Sequence, residues 1–201
     1  HWSPSSMTAL AEAELEYPEG HVSQSVYVAF PLVTDEELPD AFPAEHKDAV
    51  EGASLAVWTT TPWTMPANAA VAVNDKLEYS FVKVTGTAGD DDKESARMVG
   101  KTLVVANGLI TELQKTLSLT LEHVCTVPGS ALVGFQYTHP MYDRVSPVVA
   151  GGDYITTESG TGLVHTAPGH GQEDYMTGLK FGLPLLSPVD AFQLRLSRAA
   201  V

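Results

Sequence analysis

The stretch SLAVWTTTPWT, residues 54–64, begins as a β-strand and then stops abruptly. Its β-branched and aromatic residues suit a strand, but Pro62 has no N–H to donate and would break a central strand. The threonine hydroxyls just before this break can therefore face a cavity, where each can donate and accept a hydrogen bond. Such a row can bind a ribose, a phosphate or a water without carrying charge. The alternative is that the threonines only occupy ordinary strand positions.

Similar short β-rich segments follow one another along the chain and are separated by turn signals. The predicted strands are residues 25–33, 54–60, 69–73, 77–84, 97–106, 119–127 and 131–139. Residues 34–51 are polar and contain prolines, which predicts a loop. Residues 8–16 are rich in helix formers and acids, and they predict either a short helix or an edge strand.

Helical patterns occur in two places. In residues 107–117 the apolar side chains recur every three or four positions, which predicts a helix. Residues 174–182 predict a second helix that ends at Gly182, followed by an extended segment over 184–190. Many short strands with one or two helices predict an α+β fold that is mainly β, in the form of a closed or nearly closed β-barrel with a few peripheral helices.

Composition narrows the possible classes of function. The net charge of −14 repels phosphate at long range, so general basicity cannot hold nucleic acid, although a small local contact to RNA remains open. No apolar run approaches the roughly 20 residues of a membrane helix, so no membrane partner is expected. Cys125 is the single cysteine, which excludes a disulfide framework and a multi-cysteine zinc site. Its apolar surroundings predict a packed core thiol rather than a nucleophile.

A second polar motif lies in GTGLVHTAPGHGQEDY, residues 160–175. His165, His170 and Asp174 fall within ten residues, but Pro168, Gly169 and Gly171 rule out a helical metal motif, so no metal is expected. The glycines allow the backbone to approach a ligand closely. Asp174 begins the predicted helix, where it either caps the helix or points into a pocket as an anion that can receive an ammonium group.

Two peptides together, WTTTPWTMPAN (58–68) and GTGLVHTAPGHGQEDY, resemble the signature peptides of the editing domain of isoleucyl-tRNA synthetases, which belong to the class I aminoacyl-tRNA synthetases. At the corresponding place the valyl and leucyl enzymes have a peptide similar to Thr-Thr-Arg-Pro, whereas this chain has Thr61 before Pro62. The isoleucyl family is therefore favoured, with a valyl-tRNA synthetase editing domain as the alternative.

The resemblance covers roughly residues 1–190, which are predicted to form one editing domain, with residues 1–24 as a candidate peripheral extension. Residues 191–201 do not continue the family's sequence and are predicted to be an atypical tail. The HIGH-like and KMSKS-like peptides of the ATP-binding core are absent from the chain. A chain that opens on histidine is also expected to be a piece of something longer.

The resemblance implies a function. It implies post-transfer editing, the hydrolysis of the aminoacyl ester of mischarged valyl-tRNA(Ile), with no cofactor. The implied partners are the aminoacylated 3′ end of the tRNA and the catalytic core of the parent synthetase. The chain is expected to be a monomer in the cytoplasm, or alternatively in a chloroplast or mitochondrion.

The resemblance also implies roles for individual residues. Asp174 matches the aspartate that binds the α-ammonium of the misattached amino acid, and His165 matches the residue that blocks isoleucine by its bulk. Four threonines would hold the terminal adenosine and position the attacking water: Thr59, Thr60, Thr61 and Thr64. The remaining candidates are Trp58 at the pocket floor, the backbone near Gly171 as an oxyanion donor, and His170 as either a binding or a structural residue.

Two other classes of function remain open. A non-catalytic module of the same fold would bind a tRNA end or a protein, and the acidic composition mildly favours it. An unrelated esterase or metal hydrolase would need a nucleophile with a base, or a metal site.

Overall fold

The computed structural model describes residues 1–20, 22–35, 37–88 and 93–188. The strands in these ranges are β1 (Trp2–Ser3), β2 (Thr8–Ala9), β3 (Val26–Pro31), β4 (Ala53–Thr59), β5 (Ala70–Val73), β6 (Glu78–Thr87), β7 (Thr102–Ala106), β8 (Leu119–Pro128), β9 (Gln136–Thr138), β10 (Val145–Ala150) and β11 (Leu163–Thr166). The α-helices are α1 (Lys93–Ala96), α2 (Ile110–Thr116) and α3 (Gln172–Phe181). Short 3-10 segments lie at Glu12–Glu14, Ala44–Ala49, Pro62–Ala67, Asn107–Leu109 and Gly129–Ala131.

Two sheets carry the fold. The larger sheet has the strand order β3-β4-β7-β6-β8, and the smaller has the order β11-β5-β10-β9. Most neighbours are antiparallel, while β4 with β7 and β5 with β10 are parallel pairs. The strands β1 and β2 form a separate small ladder near the amino terminus. The prediction of an α+β fold that is mainly β is confirmed.

The two sheets meet along β3 and β9, but only briefly. Leu32 forms an isolated bridge with Tyr137, and the Val33 N–H donates to the Gln136 carbonyl at 2.9 Å. Because β9 is only three residues long, the hydrogen-bonded ladder cannot continue between the sheets. No closed barrel is detected in the described part of the chain, and the barrel remains a prediction.

The core lies between the sheets and is built around aromatic rings that contact edge to face. Phe42 packs against Phe81 and Phe135 with ring centroids 5.9 and 5.2 Å apart, and Phe30 packs against Tyr137 at 5.2 Å. Such contacts add to the gain from burying large apolar side chains.

Cys125 of β8 belongs to this core, as predicted, since it is buried and its burial raises the pKa of the thiol. None of the helices in the described ranges has both the length and the apolar content that crossing a bilayer requires.

Two segments near the amino terminus differ from simple expectation. Residues 8–16 form neither a helix nor a long edge strand, because only Thr8–Ala9 pair in a ladder and Glu12–Glu14 make one 3-10 turn. Residues 34–51 contain the 3-10 segment Ala44–Ala49 rather than being irregular throughout.

Two predicted strands start later than expected, β7 at Thr102 and β9 at Gln136. A glycine with positive φ precedes each of them and turns the chain, Gly100 at +87° and Gly134 at +97°. Before Gly134, Ala131 and Leu132 are buried without strand pairing, and composition does not reveal this.

The predicted helices are present. The segment over 107–117 begins as a 3-10 turn and continues as α2. The second is α3, which ends at Gly182 in the left-handed conformation that glycine adopts without strain. The predicted tail, residues 191–201, lies outside the described residues, as do the last two residues of the predicted extended segment. The domain boundaries remain a prediction.

Candidate functional site

The threonine loop, residues 59–68, follows β4 and turns the chain where Pro62 begins a 3-10 segment. The Thr59 hydroxyl accepts from the Thr61 N–H at 3.1 Å, and the two hydroxyl oxygens lie 3.2 Å apart. The Thr64 hydroxyl donates to the Thr61 carbonyl at 2.8 Å. The threonines therefore do more than occupy strand positions, because the hydroxyls of Thr59 and Thr64 bond to the backbone of Thr61, just after the end of β4.

Burial divides the threonines into two pairs. Thr59 and Thr64 are buried, whereas Thr60 and Thr61 are exposed. The buried pair shapes the loop from within, and the exposed pair presents hydroxyls at its surface. A ligand that approaches the loop would meet Thr60 and Thr61 first.

His165 of β11 reaches the threonine loop from the smaller sheet. Its strand pairs with β5, where His165 lies opposite Val71, and it packs against β4. Its Nε2 lies 2.9 Å from the Thr64 hydroxyl, and its Nδ1 lies 2.8 Å from the Asn68 amide nitrogen. The ring is 7% exposed, so both ring nitrogens bond within the protein rather than to bulk solvent.

The hydrogen-bond partners of His165 determine its tautomer. The Asn68 amide nitrogen also donates to the Ala70 carbonyl at 2.9 Å, which identifies it as the NH₂ end of the side chain. The His165 Nδ1 must therefore accept. Thr64 already gives its hydroxyl proton to the Thr61 carbonyl, so the His165 Nε2–H donates to Thr64. The imidazole is neutral with its proton on Nε2.

Burial stabilises this neutral state further. It lowers the pKa of His165 to about 4, and interactions with His139 and His170 lower it in the same direction. A neutral ring whose lone pair already accepts a hydrogen bond is a poor general base. The arrangement suits a rigid wall rather than a proton acceptor.

The shifted pKa of His165 predicts a pH dependence of stability. The unfolded chain binds a proton near pH 6.5, whereas the folded chain resists it down to about 4, so the stabilising contribution is complete at neutral pH and is lost as the pH falls through this window. The loss amounts to about 3 kcal/mol.

Urea unfolding of the wild-type chain and of His165→Gln at pH 7 and pH 4.5 measures this contribution. Burial lowers the pKa of His139 as well, so part of the slope remains in the variant. An equal pH dependence in both proteins would contradict the assignment to His165.

Asp174 lies in the first turn of α3 but does not cap it, because Gly171 is the N-cap residue. One carboxylate oxygen accepts from the Ala167 N–H at 2.9 Å, which joins the start of the helix to the end of β11. Ala167 is two residues beyond His165. The half-buried carboxylate of Asp174 is thus connected to the threonine loop in three steps. It bonds to Ala167, the backbone runs from Ala167 back to His165, and His165 bonds to Thr64.

The electrostatics at Asp174 favour a cation. Burial is the largest effect and raises the pKa of this carboxyl, and the charge of Glu173 raises the pKa further. The hydrogen bond from the Ala167 N–H and the nearby His170 act in the opposite direction and lower the pKa. The charged form is therefore less stable here than in water. A cation beside it would restore the lost stabilisation.

The other candidates lie around this connection. His170 and Gly171 are both exposed, and the His170 N–H donates to the Ala167 carbonyl at 2.8 Å, which makes a turn before α3. Trp58 is half-buried and packs on Gly160, where an added Cβ would come within 3.0 Å of the indole. With φ at +77°, Gly160 is required both for its conformation and for this close approach.

Within the described ranges, no group of three histidine, cysteine or acidic side chains is arranged to hold a metal ion.

Sequence reasoning missed four residues that hold the site together: Asn68, Tyr137, His139 and Arg144. Asn68 stands inside the threonine peptide, so its position was visible, but its link to His165 was not. The other three come from a hairpin more than 65 residues away, and only the fold brings them to the loop.

Comparisons with known proteins identify relatives of the chain. The chain is 55% identical over 190 residues to the isoleucine–tRNA ligase of Nostoc punctiforme, covering 94% of this chain and 19% of that protein. It is 57% identical over 198 residues to that of Parasynechococcus marenigrum, again covering 94% and 19%. It is 54% identical to the chloroplastic/mitochondrial isoleucine–tRNA ligase of Arabidopsis thaliana, covering 94% of this chain and 18% of that protein. No family model matches.

Solved structures supply the fold. GlLeuRS-CP1 superposes with a TM-score of 0.58 at 16% identity, covering 79% of this chain and 60% of that one. The editing domain of the P. knowlesi cytosolic leucyl-tRNA synthetase superposes with a TM-score of 0.56 at 11% identity, covering 82% and 67%. The chain spans about one fifth of the length of the curated relatives it matches (19% of the first). It belongs to the isoleucine–tRNA ligase family and has the fold of leucyl-tRNA synthetase editing domains.

Proposed function

We propose that this chain is the editing domain of an isoleucyl-tRNA synthetase and hydrolyses the aminoacyl ester of mischarged valyl-tRNA(Ile). The observation that carries the proposal is the hydrogen-bonded connection from Asp174 through the end of β11 and His165 to the threonine loop. Two hydrogen bonds, joined by the backbone of residues 165–167, link the Asp174 carboxylate and the Thr64 hydroxyl to the same strand end.

The chemical need for such a site is plain. Valine lacks one methylene of isoleucine, and burying a methylene is worth only about 0.8 kcal/mol. An activation pocket cannot reject the smaller amino acid by size, and isoleucyl-tRNA synthetases are themselves the standard case of this problem. A second site that admits only the smaller side chain solves it by hydrolysis.

In this proposal Asp174 recognises the α-ammonium of the valyl group. Its half-buried carboxylate lacks full hydration, so a charge-assisted hydrogen bond to an ammonium is stronger there than in water. This contact selects aminoacyl esters over other esters.

His165 forms the wall that excludes isoleucine. Its ring is held at both nitrogens and cannot rotate to admit a longer side chain without breaking two hydrogen bonds. Trp58, packed on Gly160, forms the floor of the same pocket.

The threonines orient the terminal adenosine and the attacking water. Thr60 and Thr61 present exposed hydroxyls, and Thr59 with Thr64 fixes the loop beneath them. Catalysis comes from positioning of the water at the ester carbon, since His165 is not available as a base. The backbone near Gly171, at the start of α3, supplies N–H groups for the developing oxyanion, and His170 lines the same end.

The wider context is part of the proposal. The domain needs neither cofactor nor metal, is a monomer, and receives its substrate from the catalytic core of the parent synthetase. The acidic composition means that the core, rather than general attraction, must deliver the tRNA end. We place the protein in the cytoplasm, or in an organelle, and propose that the two sheets form a barrel that is nearly closed.

The direct test is deacylation of tRNA(Ile) carrying labelled valine or labelled isoleucine. We expect release of valine well above the uncatalysed rate and little release of isoleucine. Addition of a chelator should leave the rate unchanged. A chain that binds the tRNA end but releases no valine would instead be a non-catalytic module, and preferential release of threonine from tRNA(Val) would identify a valyl editing domain.

A separate prediction concerns the exposed hydroxyls. Thr60→Val and Thr61→Val remove a hydroxyl with little change in shape and should together weaken binding of an aminoacyl-adenosine analogue by roughly 10-fold, about the value of one net hydrogen bond. Thr120→Val is the matched control, because Thr120 is an exposed threonine of β8, which lies three strands away from β4 in the larger sheet. Calorimetric titration of the analogue measures the change, and equal affinities for all variants would remove these two threonines from the binding site.

A further inference from the structure

The hairpin formed by β9 and β10 holds the far end of the threonine loop with three side chains, which we call the hairpin clamp: Tyr137, His139 and Arg144. The Tyr137 hydroxyl donates to the Asn68 side-chain oxygen at 2.5 Å, and the His139 Nε2 lies 2.9 Å from the Met65 carbonyl.

Arg144 completes the clamp. One nitrogen of its guanidinium lies 2.6 Å from the Asn68 carbonyl and 3.2 Å from the Pro66 carbonyl. The last carbonyls of a 3-10 segment have no partner within it. Here Arg144 bonds to the Pro66 carbonyl, and the Met65 carbonyl accepts from the Asn68 N–H at 3.0 Å and also from His139. The loop is therefore tied to the smaller sheet at Met65, Pro66 and Asn68.

The orientation of each clamp residue is defined by its contacts. A carbonyl only accepts, so the His139 Nε2–H donates to Met65, and the His139 Nδ1 accepts from the Met141 N–H at 3.0 Å. His139 is thus neutral with its proton on Nε2. The Arg144 guanidinium lies 5.7 Å from the centre of the Tyr142 ring, which helps to hold it in the hairpin.

The clamp reaches the site through one residue. Asn68 is fully buried, and its side-chain oxygen, side-chain NH₂ and backbone carbonyl all form hydrogen bonds within the protein. Tyr137 fixes its oxygen, Arg144 fixes its backbone carbonyl, and its NH₂ then points at the Ala70 carbonyl and at the His165 Nδ1. The His165 ring is oriented by a chain of bonds that starts in the hairpin.

We propose that Tyr137 and Arg144 are positioning residues for the editing site, which hold Asn68 so that His165 keeps its proton on Nε2 and its ring against Thr64. This inference rests on the proposed function. The hydrogen bonds of Tyr137 and Arg144 go to Asn68 and Pro66, so the clamp acts on the wall and the loop and not on recognition of the ammonium.

The first test needs no substrate. Nitrogen NMR of the ¹⁵N-histidine-labelled chain distinguishes a protonated from an unprotonated ring nitrogen. We expect His165 and His139 to carry the proton on Nε2 at pH 7. In Tyr137→Phe, which removes only the hydroxyl, the two His165 ring signals should move toward each other as the tautomers mix. A wild-type His165 protonated on Nδ1, or an unchanged tautomer in Tyr137→Phe, would overturn the proposal.

The second test uses deacylation kinetics. Tyr137→Phe and Arg144→Met should lower kcat for valyl-tRNA(Ile) by roughly 10- to 100-fold, because a small displacement of positioned groups costs this much, with KM changed by less than about twofold. Arg144→Lys keeps the charge and should recover part of the loss. Lys76→Met is the control for Arg144→Met, because it also replaces a cation with methionine but breaks only the exposed ion pair between Lys76 and Asp153. We expect it to leave kcat and KM unchanged.

The two measurements separate the possible failures. A clamp that only stabilises the fold would lower the melting temperature and leave kcat unchanged at temperatures far below melting, which overturns the positioning role. A wild-type chain without deacylation would refute the proposed function, and the tautomer in Tyr137→Phe would still decide whether the clamp orients His165. If Arg144→Met does not fold, Tyr137→Phe carries both tests.

Discussion

Replacing Asp174 with asparagine is expected to lower kcat/KM for deacylation of valyl-tRNA(Ile) by roughly 100- to 1,000-fold, since removing one partner of a partly buried charge pair costs several kcal/mol. Asparagine is the informative substitution because its side-chain oxygen can still accept from the Ala167 N–H, the contact that joins α3 to β11. The variant therefore loses the negative charge and keeps the helix in place. Deacylation under single-turnover conditions measures the effect.

Glu173→Gln is the control for this experiment. Glu173 is the neighbouring acid in the first turn of α3 and is exposed, so its replacement removes the same charge from the same helix end. We expect kcat/KM for deacylation to change by less than about threefold, because solvent screens the charge of an exposed side chain. Comparable losses in both variants would show that the general negative field, not the Asp174 carboxylate, is what the substrate needs.

Replacing His165 with alanine is expected to abolish protection of the cognate product. The ring is buried, and its removal opens space beside the threonine loop that a longer aliphatic chain can fill. Because one methylene discriminates by about 10- to 200-fold in a fitted pocket, hydrolysis of isoleucyl-tRNA(Ile) should rise by a factor of this order. The measurement compares release of isoleucine and of valine by the same preparation.

His165→Phe separates bulk from hydrogen bonding. Phenylalanine keeps a ring of similar size but has no partner for Thr64 and Asn68, so we expect a less stable protein, by about 1–3 kcal/mol, that still excludes isoleucine. His123→Ala removes an exposed imidazole from β8 and should change the rate of hydrolysis of neither substrate. Release of isoleucine by the phenylalanine variant equal to that of the alanine variant would contradict the steric role.

The order of local elements was largely readable from the sequence. β4 ends at the threonines as Pro62 requires, and α3 ends at Gly182 as its left-handed conformation requires. These features depend on neighbouring residues alone. The late starts of β7 and β9, after Gly100 and Gly134, were not predicted, because whether an apolar segment pairs as a strand depends on partners that are distant in sequence.

The site divides in the same way. The sequence by itself determined which groups are available: a threonine row at a strand end, two histidines and an acid in a glycine-rich peptide, and a family resemblance that the comparisons confirm. Only the tertiary structure decided how they are used. The His165 ring is neutral and fixed in orientation because Asn68 and Thr64 meet its two nitrogens, and Asp174 is held at Ala167 rather than at the helix cap. A tautomer and a desolvated charge are set by partners up to about 100 residues away in the chain, and no local pattern specifies such partners.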